Sequence, residues 1–218
     1  MFYISSLFPS HESKYYSDNG RCSELKDVLV MVEIPKGSRN KYEYNLDDGR
    51  FYLDRMLFSA VHYPADYGFI PYTLAEDGDP LDALVLVGEA TFPGCMIRAK
   101  PVGVFDMWDE KGPDKKILCV PVQDPQWNWV NDLTDVPEHL LHEVTHFFQV
   151  YKELERKKTK VGQWHNRESA LSIIAEAIAR YEQSDTKNLL LGHFLDQGDY
   201  LRGQKYQDSV TTGKLAPD

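Results

Sequence analysis

Asp77-Gly78-Asp79-Pro80-Leu81-Asp82 places three carboxylates within six residues. The stretch lies between Phe69-Ile70-Pro71-Tyr72, which reads as turn-rich, and the apolar run Ala83 to Val87. Gly78 and Pro80 oppose a helix, so the acids are expected on a tight loop that feeds a strand. Like charges this close repel unless something positive lies between them, and hard divalent cations such as Mg²⁺ take oxygen ligands of this kind. A metal site and a solvated acidic turn both fit the spacing. An EF-hand does not, because its sixth position needs Gly and its twelfth a bidentate Glu, where this loop has Asp82 and Gly88.

Outward from this loop, strands dominate the first half. Asp27 to Ile34 reads as a strand ended by Pro35, and Lys41 to Tyr44 with Arg50 to Leu53 flank Asp47-Asp48-Gly49 as a hairpin. Ala83 to Val87, Cys95 to Phe105 and Lys116 to Val122 continue the pattern, with turns at Pro93-Gly94 and Lys111-Gly112-Pro113. From Pro137 the period changes. Leu140, Val144, Phe147, Tyr151 and Leu154 mark one stripe of an amphipathic helix, and Asn166 is placed to cap a second helix running to about Tyr181. These elements predict an α+β domain, a small barrel or curled sheet with helices packed on it. Residues 1–26 read as an N-terminal arm, 27–181 as the catalytic unit, and 182–218 as a partly mobile C-terminal extension that docks through Leu189-Leu190-Leu191 and Phe194-Leu195.

A second acidic group, Asp109-Glu110 and Asp114, precedes the strand beginning at Lys116. If the two loops converge, Asp77, Asp82, Asp109 and Asp114 could hold two or more Mg²⁺ ions, leaving Asp79 to take a proton from water. A solvated acidic hairpin is the competing reading for the second group. Lys41, Arg55, Tyr67, Lys116, Tyr151 and Lys152 are candidate phosphate donors, although each could equally be an edge, core or ion-pair residue. His142-Glu143-Val144-Thr145-His146 is a literal H-E-x-x-H, for which Glu168 could be a third zinc ligand. At 100° per residue, however, the two histidines lie opposite the apolar stripe, and Gln149 stands where the extended motif needs Gly.

Composition bounds the reading further. The 218 residues suit one good-sized core, and no apolar stretch is long enough to span a bilayer. The opening Met1 to Pro9 makes a poor secretory signal, so a cytoplasmic chain without membrane partners is expected. Cys22, Cys95 and Cys119 form no C-x-x-C and suit reduced thiols. A net charge of −10 argues against binding nucleic acid, and with it against a non-catalytic oligonucleotide-binding barrel.

Asp77 to Ala83 matches, at every position, the signature D-[SGDN]-D-[PE]-[LIVMF]-D-[LIVMGAC] of the soluble, Mg²⁺-dependent inorganic pyrophosphatases, which the chain resembles over about residues 27 to 180. Glu33-Ile34-Pro35, Lys41-Tyr42-Glu43, Asp54-Arg55, Tyr63-Pro64, Tyr67 to Ile70, Asp109-Glu110, Asp114 with Lys116, and His146-Phe147-Phe148 with Tyr151-Lys152 follow in the family's order. The resemblance implies a five-stranded barrel of the oligonucleotide-binding type with flanking helices, and hydrolysis of pyrophosphate to two orthophosphates by a metal-activated water. It further implies several Mg²⁺ ions per site. Asp77, Asp82 and Asp114 would be ligands of the tightest ion, Asp109 a ligand of an ion arriving with substrate, and Glu43 an aid to a further one, with Glu33 behind them. Asp79 would be the general base, and Lys41, Arg55, Tyr67, Lys116, Tyr151 and Lys152 would hold the phosphates. Bacterial members are commonly hexamers, so a homo-oligomer is expected. The chain departs from them at Val150, often His in bacterial members, and in its long tail.

Overall fold

The computed structural model describes residues 25–184. Residues 1–24 and 185–218, which include Cys22, most of the expected arm and extension, and both leucine-rich docking segments, lie outside the described residues. The described strands are β1 (Val28–Ile34), β2 (Asn40–Asn45), β3 (Arg50–Met56), β4 (Asp66–Ile70), β5 (Leu81–Val85), β6 (Met96–Asp109), β7 (Gly112–Pro113), β8 (Lys116–Pro121) and β9 (Lys160–His165). The two main helices are α1 (Glu138–Val150) and α2 (Arg167–Gln183).

Pairing runs β1-β4-β5-β8-β6, and β6 pairs back onto β1, so five strands close into a ring as expected. Four of its contacts are antiparallel, and β5 with β8 is parallel. The parallel pair puts Asp82 and Lys116, each near the start of its strand, at the same end of the ring. Side chains alternate across each strand and sort into two apolar clusters. Leu84, Leu86, Leu118 and Val120 join the cluster under α1, with Phe147, Phe148 and Tyr151. Ala83, Val85, Ile117 and Cys119 join the cluster with Ala170, Ile174 and Ala177 of α2. Gly68 of β4 is required where the strands meet, because a Cβ there would lie 1.8 Å from the Met31 carbonyl oxygen.

Three expectations change. Phe69 and Ile70 are not turn residues but the end of β4, whose five residues are all buried; with both faces covered, the strand shows no alternation. β9 was not foreseen, and it lies against β6 through Val104–His165 and Trp108–Lys160. The helical stripe stops at Tyr151: Leu154 is 62% exposed, in a separate 3₁₀ turn, Glu153–Glu155. The β2–β3 hairpin forms as read, with Gly49 at φ 68° and the Asn45 side chain accepting from the Asp47 amide at 2.7 Å. It makes a two-stranded sheet outside the ring.

Candidate active site

The acidic loop is held by its neighbours on both sides. Buried Thr73 donates to the Ile70 carbonyl at 2.5 Å and accepts from the Leu81 amide at 2.9 Å, closing the loop across its base. Gly78 adopts φ +92°, a region open mainly to glycine, and the Ala75 amide reaches the Asp79 carbonyl at 2.8 Å. α2 braces the outer side, with Arg180 Nη1 on the Leu74 carbonyl at 2.5 Å and the Leu74 amide on the Ala177 carbonyl at 3.0 Å. Within the loop, the Asp79 amide donates to Asp77 Oδ1 at 3.2 Å, while Asp82 sits inside β5.

The second acidic group comes to the same mouth. Asp109 ends β6, and the Asp114 amide donates to the Met107 carbonyl at 2.8 Å, fixing the turn between them. Lys116 Nζ, 2% exposed, donates to both Asp82 and Asp114, tying the loops together in the barrel. Tyr67 OH donates to Asp82 Oδ2 at 2.6 Å. At the rim, Lys111 reaches Asp79 Oδ2 at 2.7 Å and Lys152 reaches Asp109 Oδ2 at 3.2 Å. Tyr151 and Lys152 stand just past the end of α1 rather than on it. The hairpin supplies the remaining wall: Lys41 pairs with Glu43 and Asp54, and Arg55 with Asp54 and Glu155. Glu33 lies behind it and accepts from the Tyr44 amide at 2.8 Å.

The electrostatics show an excess of negative charge at this mouth. Burial pushes the Asp114 carboxyl up to about 6 against the pull of Lys116, with Asp82 and Asp109 adding to the rise. Asp77 is raised by burial and by Asp79 and Asp82. Burial opposes the Lys116 charge, but Asp82 and Asp114 outweigh it and hold the ammonium protonated. Tyr151 and Tyr67 are driven far up by burial and by neighbouring carboxylates, so both remain O–H donors. In this structure the carboxylates hold lysine ammonium groups, and among the described residues no three His, Cys, Asp or Glu side chains close on one point. As a donor set they nonetheless fit a hard divalent cation: all oxygen, mutually repelling, and gathered from two loops.

Burial also raises Glu33, to about 8 from 4.5. The folded state therefore keeps a proton that the unfolded chain releases, and stability falls as pH rises across that window. Glu33→Gln should flatten this decline. We expect the difference between wild-type and variant urea midpoints, measured in chelator, to change sharply between pH 5 and pH 8; a constant difference would contradict it.

The H-E-x-x-H segment lies on α1 with both histidines exposed, His142 3.7 Å from Glu138 and Glu143 3.1 Å from His139. Neither Glu168 nor any other described residue completes a ligand group with them, so the zinc alternative has no site here. Sequence reading missed Lys111 and Glu155 as partners of the site. Nothing in local spacing marks them, because each acts on a residue brought near by the fold.

A family model described as Inorganic pyrophosphatase matches residues 30–182. The chain belongs to the inorganic pyrophosphatase family. It is therefore an inorganic diphosphatase, a hydrolase, and membership implies a divalent metal cofactor. The inorganic pyrophosphatase of Methanosarcina mazei is 56% identical over 167 residues, covering 76% of this chain and 99% of that protein. That of Halalkalibacterium halodurans is 52% identical over 73% of this chain and 98% of its own length. The crystal structure of the Thermus thermophilus inorganic pyrophosphatase superposes with a TM-score of 0.71 at 47% identity, covering 72% of this chain and 92% of that one. Among the described residues, no helix is long and apolar enough to cross a membrane.

Proposed function

We propose that this family member hydrolyses pyrophosphate with Mg²⁺ as its cofactor, at the mouth formed by the 77–82 loop, the 109–116 turn and the β2–β3 hairpin. One observation carries this reading: Asp82 and Asp114, far apart in sequence, share the buried Lys116. Asp77, Asp82, Asp109 and Asp114 would hold the ions, with Glu43 assisting a further one and Glu33 behind them. When bound, several such ions would neutralise the substrate's charge and make a water acidic enough to attack at neutral pH.

The chain's own residues do the rest. Asp79, 59% exposed at the loop tip, takes the proton from the attacking water. The water oxygen bonds to one phosphorus as the bridging P–O bond breaks, and the departing phosphate keeps that bond's electron pair. Lys41, Arg55, Lys116 and Lys152 place positive charge against the non-bridging and leaving oxygens, while Tyr67 and Tyr151 donate O–H bonds. In a −10 chain whose mouth itself carries an excess of carboxylates, these side chains would meet the anion together with the bound divalent cations rather than alone.

The test is phosphate release from pyrophosphate with Mg²⁺. Release should cease on chelation; no release, or release indifferent to chelator, would reject the reading. Asp82→Asn should raise the Mg²⁺ concentration for half-maximal rate by on the order of tenfold or more, because a charged ligand is lost. The same reading takes the protein as cytoplasmic and without nucleic acid or membrane partners. It takes the assembly as a homo-oligomer, a hexamer foremost, for which the exposed face of α1 bearing His139, His142 and His146 offers a contact.

A further inference from the structure

We infer that Glu155 is a positioning residue for this reaction, aligning the Arg55 guanidinium at the mouth. The inference rests on the reading of Arg55 as a phosphate ligand. Glu155 is 100 residues away in sequence, yet its Oε1 accepts from Arg55 Nε at 3.0 Å. Its side chain is only 5% exposed, which is costly for a carboxylate unless it is paired. Asp54 takes Nη1. Two edges of the planar guanidinium are thereby fixed by acids, and Nη2 is left with no partner among the described residues.

The location of Glu155 matters as much as its charge. It ends the 3₁₀ turn Glu153–Glu155, which begins just after Tyr151 and Lys152, and Arg156 closes that turn at φ 55° with its amide on the Glu153 carbonyl at 3.0 Å. The contact therefore joins the hairpin, which is not part of the ring, to the segment that carries two other phosphate donors. Arg55, Tyr151 and Lys152 are registered to one another through it. A guanidinium freed of its side-on carboxylate would keep its charge but lose its orientation, and small misplacements of a binding group can cost up to about 10²-fold.

The experiment measures KM and kcat for Mg²⁺-pyrophosphate, and the thermal midpoint, in Glu155→Gln, Glu155→Asp, Arg55→Ala and Arg55→Ala/Glu155→Gln. We expect Glu155→Gln to raise KM by about tenfold with a much smaller change in kcat, on the reasoning that a positioning contact acts through ligand binding. Glu155→Asp should fall between, and the double variant should match Arg55→Ala alone. A KM unchanged in Glu155→Gln while Arg55→Ala raises it, or effects that multiply in the double variant, would overturn the inference and leave the Arg55 reading intact. An unchanged KM in Arg55→Ala would instead overturn the Arg55 reading, and the inference with it. If Glu155→Gln does not fold, Glu155→Asp alone decides, since a purely structural carboxylate would leave KM where it was.

Discussion

Asp79→Asn will lower kcat by roughly 10²–10⁴-fold, the usual worth of a positioned general base, while sparing most of the Mg²⁺ affinity. Asp79 differs from the other acids of its loop in its surroundings. Asp82 is in a barrel strand and bound by Tyr67 and Lys116, whereas Asp79 stands exposed at the turn, where among the described residues its carboxylate takes one side-chain partner, the exposed Lys111. A carboxylate so placed can take and shed a proton without disturbing the ligand framework. The asparagine keeps the shape and the loop bonds but cannot accept a proton at neutral pH. Steady-state rates over a Mg²⁺ titration check the result: kcat should collapse while the half-saturating Mg²⁺ concentration moves little. A near-normal kcat would remove Asp79 from its role.

The second large effect concerns Lys116. Lys116→Met keeps the volume of the side chain but strips its charge from between Asp82 and Asp114, leaving two carboxylates facing each other at 2% exposure of the residue that joined them. Breaking a buried ion set by removing one partner costs about 3–5 kcal/mol. We expect the metal-free variant to lose stability of that order at pH 8, measured by urea unfolding in chelator. The loss should shrink towards pH 5, because Asp114, already at about 6 in the parent, can then take a proton and end the repulsion. Added Mg²⁺ should recover part of it. Equal stability of parent and variant at pH 8 would show that the ammonium does not bind the two loops together.

How far the sequence could be read depended on where each residue acts. The hairpin was legible because turn chemistry is local, and β1, β5 and β8 because they are short apolar runs bounded by turn residues. β4 was not, since its Gly68 and fully covered faces erase the period that marks a strand, and β9 was obscured by Lys160, Gly162, Gln163 and His165. The acid loop was visible from spacing alone. Its meeting with Asp109 and Asp114 was not, because that depends on the parallel pairing of β5 with β8 and on β6 returning beside them. The sequence could pose it only as a condition, which the resemblance favoured, and the Lys116 and Lys111 contacts put both loops at one end of the ring. Leu154 erred for a simpler reason: the periodicity ran on by chance after the helix had stopped.

The hairpin outside the ring has a bearing on turnover. A closed circle of strands resists widening, since any breach must unzip a ladder of backbone bonds. The wall carrying Lys41, Glu43 and Arg55 shares no ladder with that circle: it is joined to the body by side-chain ties, among them Glu33 to the Tyr44 amide, Arg55 to Glu155, and the Tyr44 ring against Phe69. A displacement that widened the entrance at this ribbon would have to break ties of that kind, and none of the ladder bonds that hold the circle shut.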